Sequence, residues 1–342
     1  MAPRAEERPT LLREAVFVRI RPVESSNPPA GWQESPIEGI LVDPAPSADP
    51  ADLAHVISVD LEDWRQSVFD HSLPVSDDFH RGTERLLDLL DRHSTRATFF
   101  VLANVAEHSP ALIRRIRAAG HEIQSHGLDH VELNRLTPER FRRDLARAKA
   151  MIEDVIGEPV TGYRAPRFSI TAETVWALDI LAESGFRYDS SVFPMRVRGY
   201  GIQGWPAGPA RVRTRNGSQL TEVPVSTAQW WGRRWPVGGG GYLRLLPSRL
   251  VRQGLRSVVA RGRPIVLYIH PYELDSTAIS ALRLNVPLMR RIHQGLGRRS
   301  VAGKLATLLQ TFRFGPMGRL VPTIGPPSPA DAPVDSTSNR RS

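Results

Sequence analysis

Apolar positions along the middle of this chain fall into two rhythms. Short, largely apolar runs at 55–59, 97–102, 122–125, 162–164, 187–190 and 264–269 read as strands, most of them buried on both faces. Between them, apolar residues recur every three to four positions over 81–92, 110–118, 138–156 and 171–184, which predicts amphipathic helices. In the first, Leu86, Leu87, Leu89 and Leu90 form the buried side. Punctuation agrees with the pattern. Thr137 and Pro138 supply an N-cap and a first helical residue ahead of Gly157, and Thr171 opens the next helix with Gly185 at its end. Repeated β–α units of this kind predict an α/β fold with a parallel sheet, open or closed into a barrel. The pattern lapses between the strands at 187–190 and 264–269, which reads as a loop-rich insertion. At the ends, residues 1–52 are rich in Pro, Ser and acidic residues, with a linker at 44–50, and read as a loosely attached extension. Residues 53–320 are the expected folded domain, and 321–342 a disordered tail.

Composition narrows the function. Across 342 residues there is no cysteine, which excludes disulfides, thiolate metal sites and thiol catalysis and fits a reducing compartment. The net charge of +9 suggests nucleic acid at first. The basic residues are scattered, however, and almost all Arg, with Lys only at 149 and 304. The densest run, Arg140, Arg142, Arg143 and Arg147, is interleaved with Glu139 and Asp144. This is a solvated surface, and no nucleic-acid partner is expected. No run reaches the roughly 18–20 apolar residues of a membrane span, and 11–20 is too interrupted by Arg13, Glu14 and Arg19 to be a signal sequence. The expectation is a cytoplasmic protein without a transmembrane segment, with room for peripheral association with a membrane.

Candidate chemistry sits at strand ends. Asp60, His126, His130, Arg164 and His270 each lie at or just beyond the C-terminal end of a predicted strand, the side on which such folds carry their sites. His126 and His130, four residues apart, can share a face and reach one metal ion. A carboxylate from the Asp60-Leu61-Glu62-Asp63 run can complete a His₂-carboxylate zinc site with one position open. A strand continuing past Leu61 puts Glu62 on the face of Asp60, whereas a turn at Leu61 makes Asp63 equally able. Arg164, in a loop stiffened by Pro166, can hold a carboxylate ionised, and His270, braced by Pro271, is placed to act as a general acid. Trp230, Trp231 and Trp235, with Tyr242 nearby, are candidates for a sugar platform. The glycines at 238–241 lack the context of a phosphate loop and read as a structural turn.

The ordered segments Val-Asp-Leu-Glu-Asp-Trp, Ser-His-Gly-Leu-Asp-His, Tyr-Arg-Ala-Pro-Arg-Phe-Ser and Tyr-Ile-His-Pro-Tyr-Glu resemble the polysaccharide deacetylases of the NodB-homology group, carbohydrate esterase family 4. The resemblance covers roughly residues 50–300. The region from Val223 to Pro247 is similar to the exosortase-associated branch that carries a DUF3473 region. It implies a distorted (β/α) barrel of about seven β/α units and a metal-dependent N-deacetylase, most readily using Zn²⁺, acting on N-acetylated oligo- or polysaccharide, with room for association with a polysaccharide synthesis complex. It further implies Asp60 as base, His126 and His130 as ligands, Arg164 as the residue orienting the base, and His270 as acid. Leu267 would line the acetyl-methyl pocket, with Tyr163 and Pro166 also beside the substrate. The chain departs from the family pattern in two places. The usual adjacent Asp pair is replaced, leaving Glu62 or Asp63 as third ligand, and Gly127 stands where Ser or Thr is usual. Two alternatives remain on this scaffold, a hydrolase of cyclic amides or ureides and an inactive carbohydrate-binding homologue.

Overall fold

The computed structural model describes residue 28 and residues 30–46, 48–277 and 286–321. Its strands in chain order are β1 (Gln33–Glu34), β2 (Leu41–Pro44), β3 (His55–Leu61), β4 (Thr98–Val101), β5 (Glu122–Ser125), β6 (Gly162–Tyr163) and β7 (Tyr188–Asp189). They continue with β8 (Ala210–Arg213), β9 (Gln219–Glu222), β10 (Thr227–Trp230), β11 (Arg233–Pro236), β12 (Val266–Ile269) and β13 (Phe314–Gly315). Seven of these, in the order β9-β7-β6-β5-β4-β3-β12, run parallel. Just beyond β9, the Ser226 N–H bonds to the Val266 carbonyl at 3.0 Å, so the chain after β9 reaches β12 and links the two ends of the parallel run. The result is a distorted (β/α) barrel.

Its helices are α1 (His80–Arg92), α2 (Ala103–His108), α3 (Pro110–Ala118), α4 (Pro138–Ile156), α5 (Trp176–Glu183), α6 (Gly240–Leu245), α7 (Ser248–Val259), α8 (Leu288–Gly295) and α9 (Arg298–Thr311). The sheet's outer face packs on most of them through a large core that includes Ile57, Val59, Leu86, Phe99, Ile123, Leu145 and Ile269. A smaller inner cluster, Val56, Phe100, Tyr188, Val223, Val266 and Met317, fills the space the strands enclose. The C-terminal segment seals the N-terminal end of the strands. There β13 pairs with His55 and Val56, Met317 N–H donates to Thr98 Oγ1 at 2.7 Å, and Gly318 N–H to Glu122 Oε2 at 3.1 Å. Access from solvent is left to the opposite end, where the strands finish.

Local signals set several boundaries. Helix α4 starts with Thr137 accepting from Arg140 N–H and stops at Gly157, which is left-handed at φ 70°. Two regions differ from expectation. Residues 33–44 are not loosely attached: β2 pairs antiparallel with β8, and Ile40 and Val42 are buried, which anchors this part of the extension to the sheet edge. Residues 1–27, 29 and 47, and the tail 322–342, lie outside the described residues. The insertion expected to be loop-rich carries four strands and two helices, including the antiparallel β8–β9 and β10–β11 pairs.

Candidate metal centre and active site

Strand β3 stays extended through Leu61, so Ser58, Asp60 and Glu62 share its inner face. Asp60 accepts from Arg164 Nη1 at 2.7 Å. Arg164 is completely buried, and each of its three nitrogens donates. Nη1 also reaches Ser58 Oγ (2.9 Å), Nη2 reaches Ser190 Oγ (2.8 Å) and Nε the Ser190 carbonyl (3.1 Å). The two serines are fixed in turn, Ser58 Oγ on the Leu267 carbonyl and Ser190 Oγ on the Val223 carbonyl. The guanidinium lies 4.3 Å from the centre of the Phe100 ring. A buried cation that donates from all three of its nitrogens gives the Asp60 carboxylate one orientation.

The histidines follow β5. His126 Nδ1 is 2.8 Å from the Arg164 carbonyl oxygen, which can only accept, so Nδ1 carries the proton and the Nε2 lone pair is free. Gly127 then turns the chain at φ +93°, and His130 itself takes φ +44°. The loop's carbonyls cap a neighbouring helix: Ala103 N–H donates to Gly127 (3.0 Å) and Asn104 N–H to Leu128 (3.1 Å) at the start of α2. These bonds fix the loop without a hydroxyl at position 127. Glu62 Oε2 lies 2.7 Å from His130 Nε2 and 3.8 Å from His126 Nε2, and one ligand atom from each of the three residues falls within 4.8 Å of the others.

The donor set fits a divalent cation. Glu62 Oε2 and His130 Nδ1 are buried and make no hydrogen bond, and the short Glu62–His130 contact is not aligned as one. Burial pushes His126 down to about 4, keeping the imidazole neutral as a ligand must be. Burial would raise the Glu62 carboxyl, but His130, His270 and His126 outweigh it and hold it at about 2. Asp63 lies outside this group. Its Oδ1 accepts from Arg65 N–H (3.0 Å), and its Oδ2 from Ser76 N–H and Oγ (both 2.8 Å), which ties together the loop after β3.

His270 leaves β12 opposite the histidines. Its Nε2 is 3.9 Å from both Asp60 Oδ2 and Glu62 Oε1, and its Nδ1 is 3.2 Å from Glu273 Oε2. Burial opposes the imidazolium, but Glu273, Glu62 and Asp60 outweigh burial and lift His270 to about 9. Glu273 was not singled out from the sequence. Its signal was the spacing His-Pro-Tyr-Glu, in which the residue three past an N-cap folds back to the cap's own N–H, here at 3.1 Å.

Five residues expected beside the substrate are placed as follows. Leu267 pairs with Ile57 and packs in the outer core, so on β12 it is Tyr268, paired with Ser58, that shares the face of Asp60. Tyr163 also points outward, with its ring against Phe141 and Phe186. Pro166 is buried and sits against the histidine loop, 3.9 Å from where a Cβ on Gly127 would lie. Trp230 packs with the outer core, near Gly254 of α7, and Trp231 is 89% exposed in the β10–β11 turn.

Comparison with known proteins bears on this arrangement. Residues 68–188 match the polysaccharide deacetylase family, and residues 190–322 a domain of unknown function, DUF3473. A chitooligosaccharide deacetylase from Bradyrhizobium sp. (strain ANU 289) is 32% identical over 102 residues, 30% of this chain and 44% of the relative. The peptidoglycan-N-acetylglucosamine deacetylase PgdA of Listeria monocytogenes is 32% identical over 84 residues, 25% of this chain and 18% of the relative. The chain thus matches less than half the length of these curated relatives. A crystal structure from Mycobacterium smegmatis, of a protein assigned by inference as a polysaccharide deacetylase, shares the fold. It has a TM-score of 0.56 and 22% identity, over 82% of this chain and 93% of that one. Residues 68–188 thus form a polysaccharide deacetylase domain of NodB homology, followed directly by a DUF3473 region at 190–322.

Proposed function

We propose that this protein is a metal-dependent hydrolase that removes N-acetyl groups from an acetylated polysaccharide or its saccharide precursor. The observation that carries this reading is the convergence of three units at the C-terminal ends of the parallel strands. They are the Asp60–Arg164 pair, the Glu62–His126–His130 group and the His270–Glu273 pair. Family membership supports the same chemistry.

Glu62, His126 and His130 would hold the cation, and their two nitrogens and one carboxylate oxygen suit Zn²⁺. A bound divalent ion supplies Lewis acidity toward the acetamide carbonyl and toward water. Asp60, oriented by Arg164, takes the proton from the water that adds to the acetyl carbon. His270, kept protonated by Glu273, gives its Nε2 proton to the nitrogen as the C–N bond breaks. The products are acetate and a free amino sugar. Proton transfers of this kind contribute on the order of 10²–10⁴ each in rate. With all three units intact, the reading as an inactive binding homologue has no support. Ureide hydrolysis is the alternative for the assay to exclude.

The test is to purify the protein, measure bound metal, and follow acetate release from N-acetylglucosamine oligomers, with allantoin as the competing substrate. Metal-dependent acetate release is expected. Protein that takes up no divalent metal, or releases no acetate with zinc supplied, overturns the reading.

A further inference from the structure

The DUF3473 match contributes more than His270 to the rim of the site. Tyr268, two residues before His270 on the Asp60 face of β12, is only 8% exposed. Its ring lies 5.6 Å from His270 and 5.0 Å from Phe168, both edge-on, and 5.8 Å from the Arg164 guanidinium. Two glycines of the turn at 238–241 make room for this residue. A Cβ on Gly239 (φ +122°) would lie 1.8 Å from the Tyr268 carbonyl oxygen, and one on Gly240 (φ +55°) 2.2 Å from its hydroxyl. The cluster, in which Phe168 and Phe193 are also buried, then reaches outward. Tyr200 stands 6.4 Å from Phe168 and 5.2 Å from Phe193, and its hydroxyl is 3.2 Å from that of Tyr242. Tyr200 and Tyr242 are both half-buried, unlike the rings beneath them.

A buried aromatic cluster that begins beside a reaction centre and ends in a half-buried pair of phenols offers a sugar one ring face and two polar partners at that end. Aromatic rings pack on the apolar faces of pyranose rings, and hydroxyl pairs that donate and accept match sugar hydroxyls. We infer that Tyr200 and Tyr242 form a saccharide subsite that binds the sugar unit next to the one at Asp60 and His270. The C-terminal region would thereby set glycan specificity. The inference rests on the deacetylase reading for the reaction at the neighbouring unit, but binding tests it without turnover.

The experiment compares the full-length zinc-loaded protein with Tyr200→Phe, Tyr242→Phe and the double variant, which keep the rings and remove the hydroxyls. Calorimetric binding of an N-acetylglucosamine tetramer is measured alongside acetate release. Each single variant is expected to weaken binding and raise KM three- to tenfold, as loss of a neutral hydrogen bond does. The expected change in kcat is under twofold, with the melting temperature unchanged. Wild-type binding that the variants weaken, with no acetate released, sinks the deacetylase reading and leaves the subsite standing. Acetate release with unchanged binding and KM in the double variant overturns the subsite. So does failure of the wild-type protein to bind the tetramer, or a lowered melting temperature with binding intact.

Discussion

Arg164 holds the two halves of the site together through different atoms. Its main-chain carbonyl accepts from His126 Nδ1 at 2.8 Å, and its guanidinium donates to Asp60 at 2.7 Å. The backbone therefore orients a candidate metal ligand, and the side chain the candidate base. Arg164→Lys separates the two. A lysine cannot reach Ser58, Asp60 and Ser190 at once, so kcat should fall about 10²–10³-fold and stability by about 1–3 kcal/mol. Metal content, read by elemental analysis, should be unchanged, because His126 is held by the main chain. Loss of metal in this variant would contradict the division.

Glu62 and Asp63 are neighbours in sequence with different surroundings. Glu62→Gln should cut zinc occupancy and acetate release steeply, since it weakens the only carboxylate in the Glu62–His126–His130 group. Asp63→Asn should keep its zinc. It loses acceptor capacity toward Ser76 N–H and Oγ or Arg65 N–H, and stability should drop by about 1–3 kcal/mol. Parallel metal analysis and thermal melts on the two variants distinguish the roles. Full zinc in Glu62→Gln with none in Asp63→Asn would reverse them.

The pH dependence follows from His270. Burial lowers its affinity for a proton, but Glu273, Glu62 and Asp60 outweigh burial and carry it to about 9, above its unfolded value. A group raised on folding stabilises the protein fully below its unfolded pKa, and that contribution is lost as pH rises through about 9. Activity that uses the imidazolium as proton donor should fall over the same alkaline range. Glu273→Gln removes the largest raising influence, so the alkaline limb of the kcat–pH profile should move toward neutrality by a unit or more. A limb that stays in place excludes His270 as the titrating donor.

Much of this was readable in the sequence where local chemistry decides it. Thr137-Pro138 and Gly157 bound α4 as read, and the histidine pair follows a strand that ends at Ser125. What was misjudged depended on phase or on distant partners. Strand β12, Val-Leu-Tyr-Ile, is apolar at every position because both faces are buried, so hydropathy cannot tell whether Leu267 or Tyr268 faces Asp60. The same holds for Tyr163 beside Arg164. The choice between Glu62 and Asp63 turned on whether β3 persists through Leu61, which its pairing with Val101 on β4 decides. Strand β2 owes its existence to β8, far away in sequence, so a window of a few residues does not reveal it. Helix α5 begins at Trp176 rather than Thr171, because Thr174 Oγ1 donates back to the Ser169 carbonyl (2.6 Å) and holds a turn there.

The histidine loop yields a last prediction, because Gly127 replaces the hydroxyl residue usual in the family. At φ +93° a side chain is strained whatever the space around it. The space itself is adequate, since the nearest atom to an added Cβ is Tyr163 Oη at 3.6 Å, an ordinary contact. Gly127→Ser should therefore fail to restore any family-like advantage. It should cost about 1–2 kcal/mol through the backbone and weaken the Gly127 and Leu128 carbonyl bonds to the start of α2. Those bonds set the distance between His126 and His130, so zinc affinity should fall with stability, and zinc titration with thermal melting would read both. A serine variant as stable and as tight for zinc as the wild type would mean that the left-handed turn is not what positions the pair.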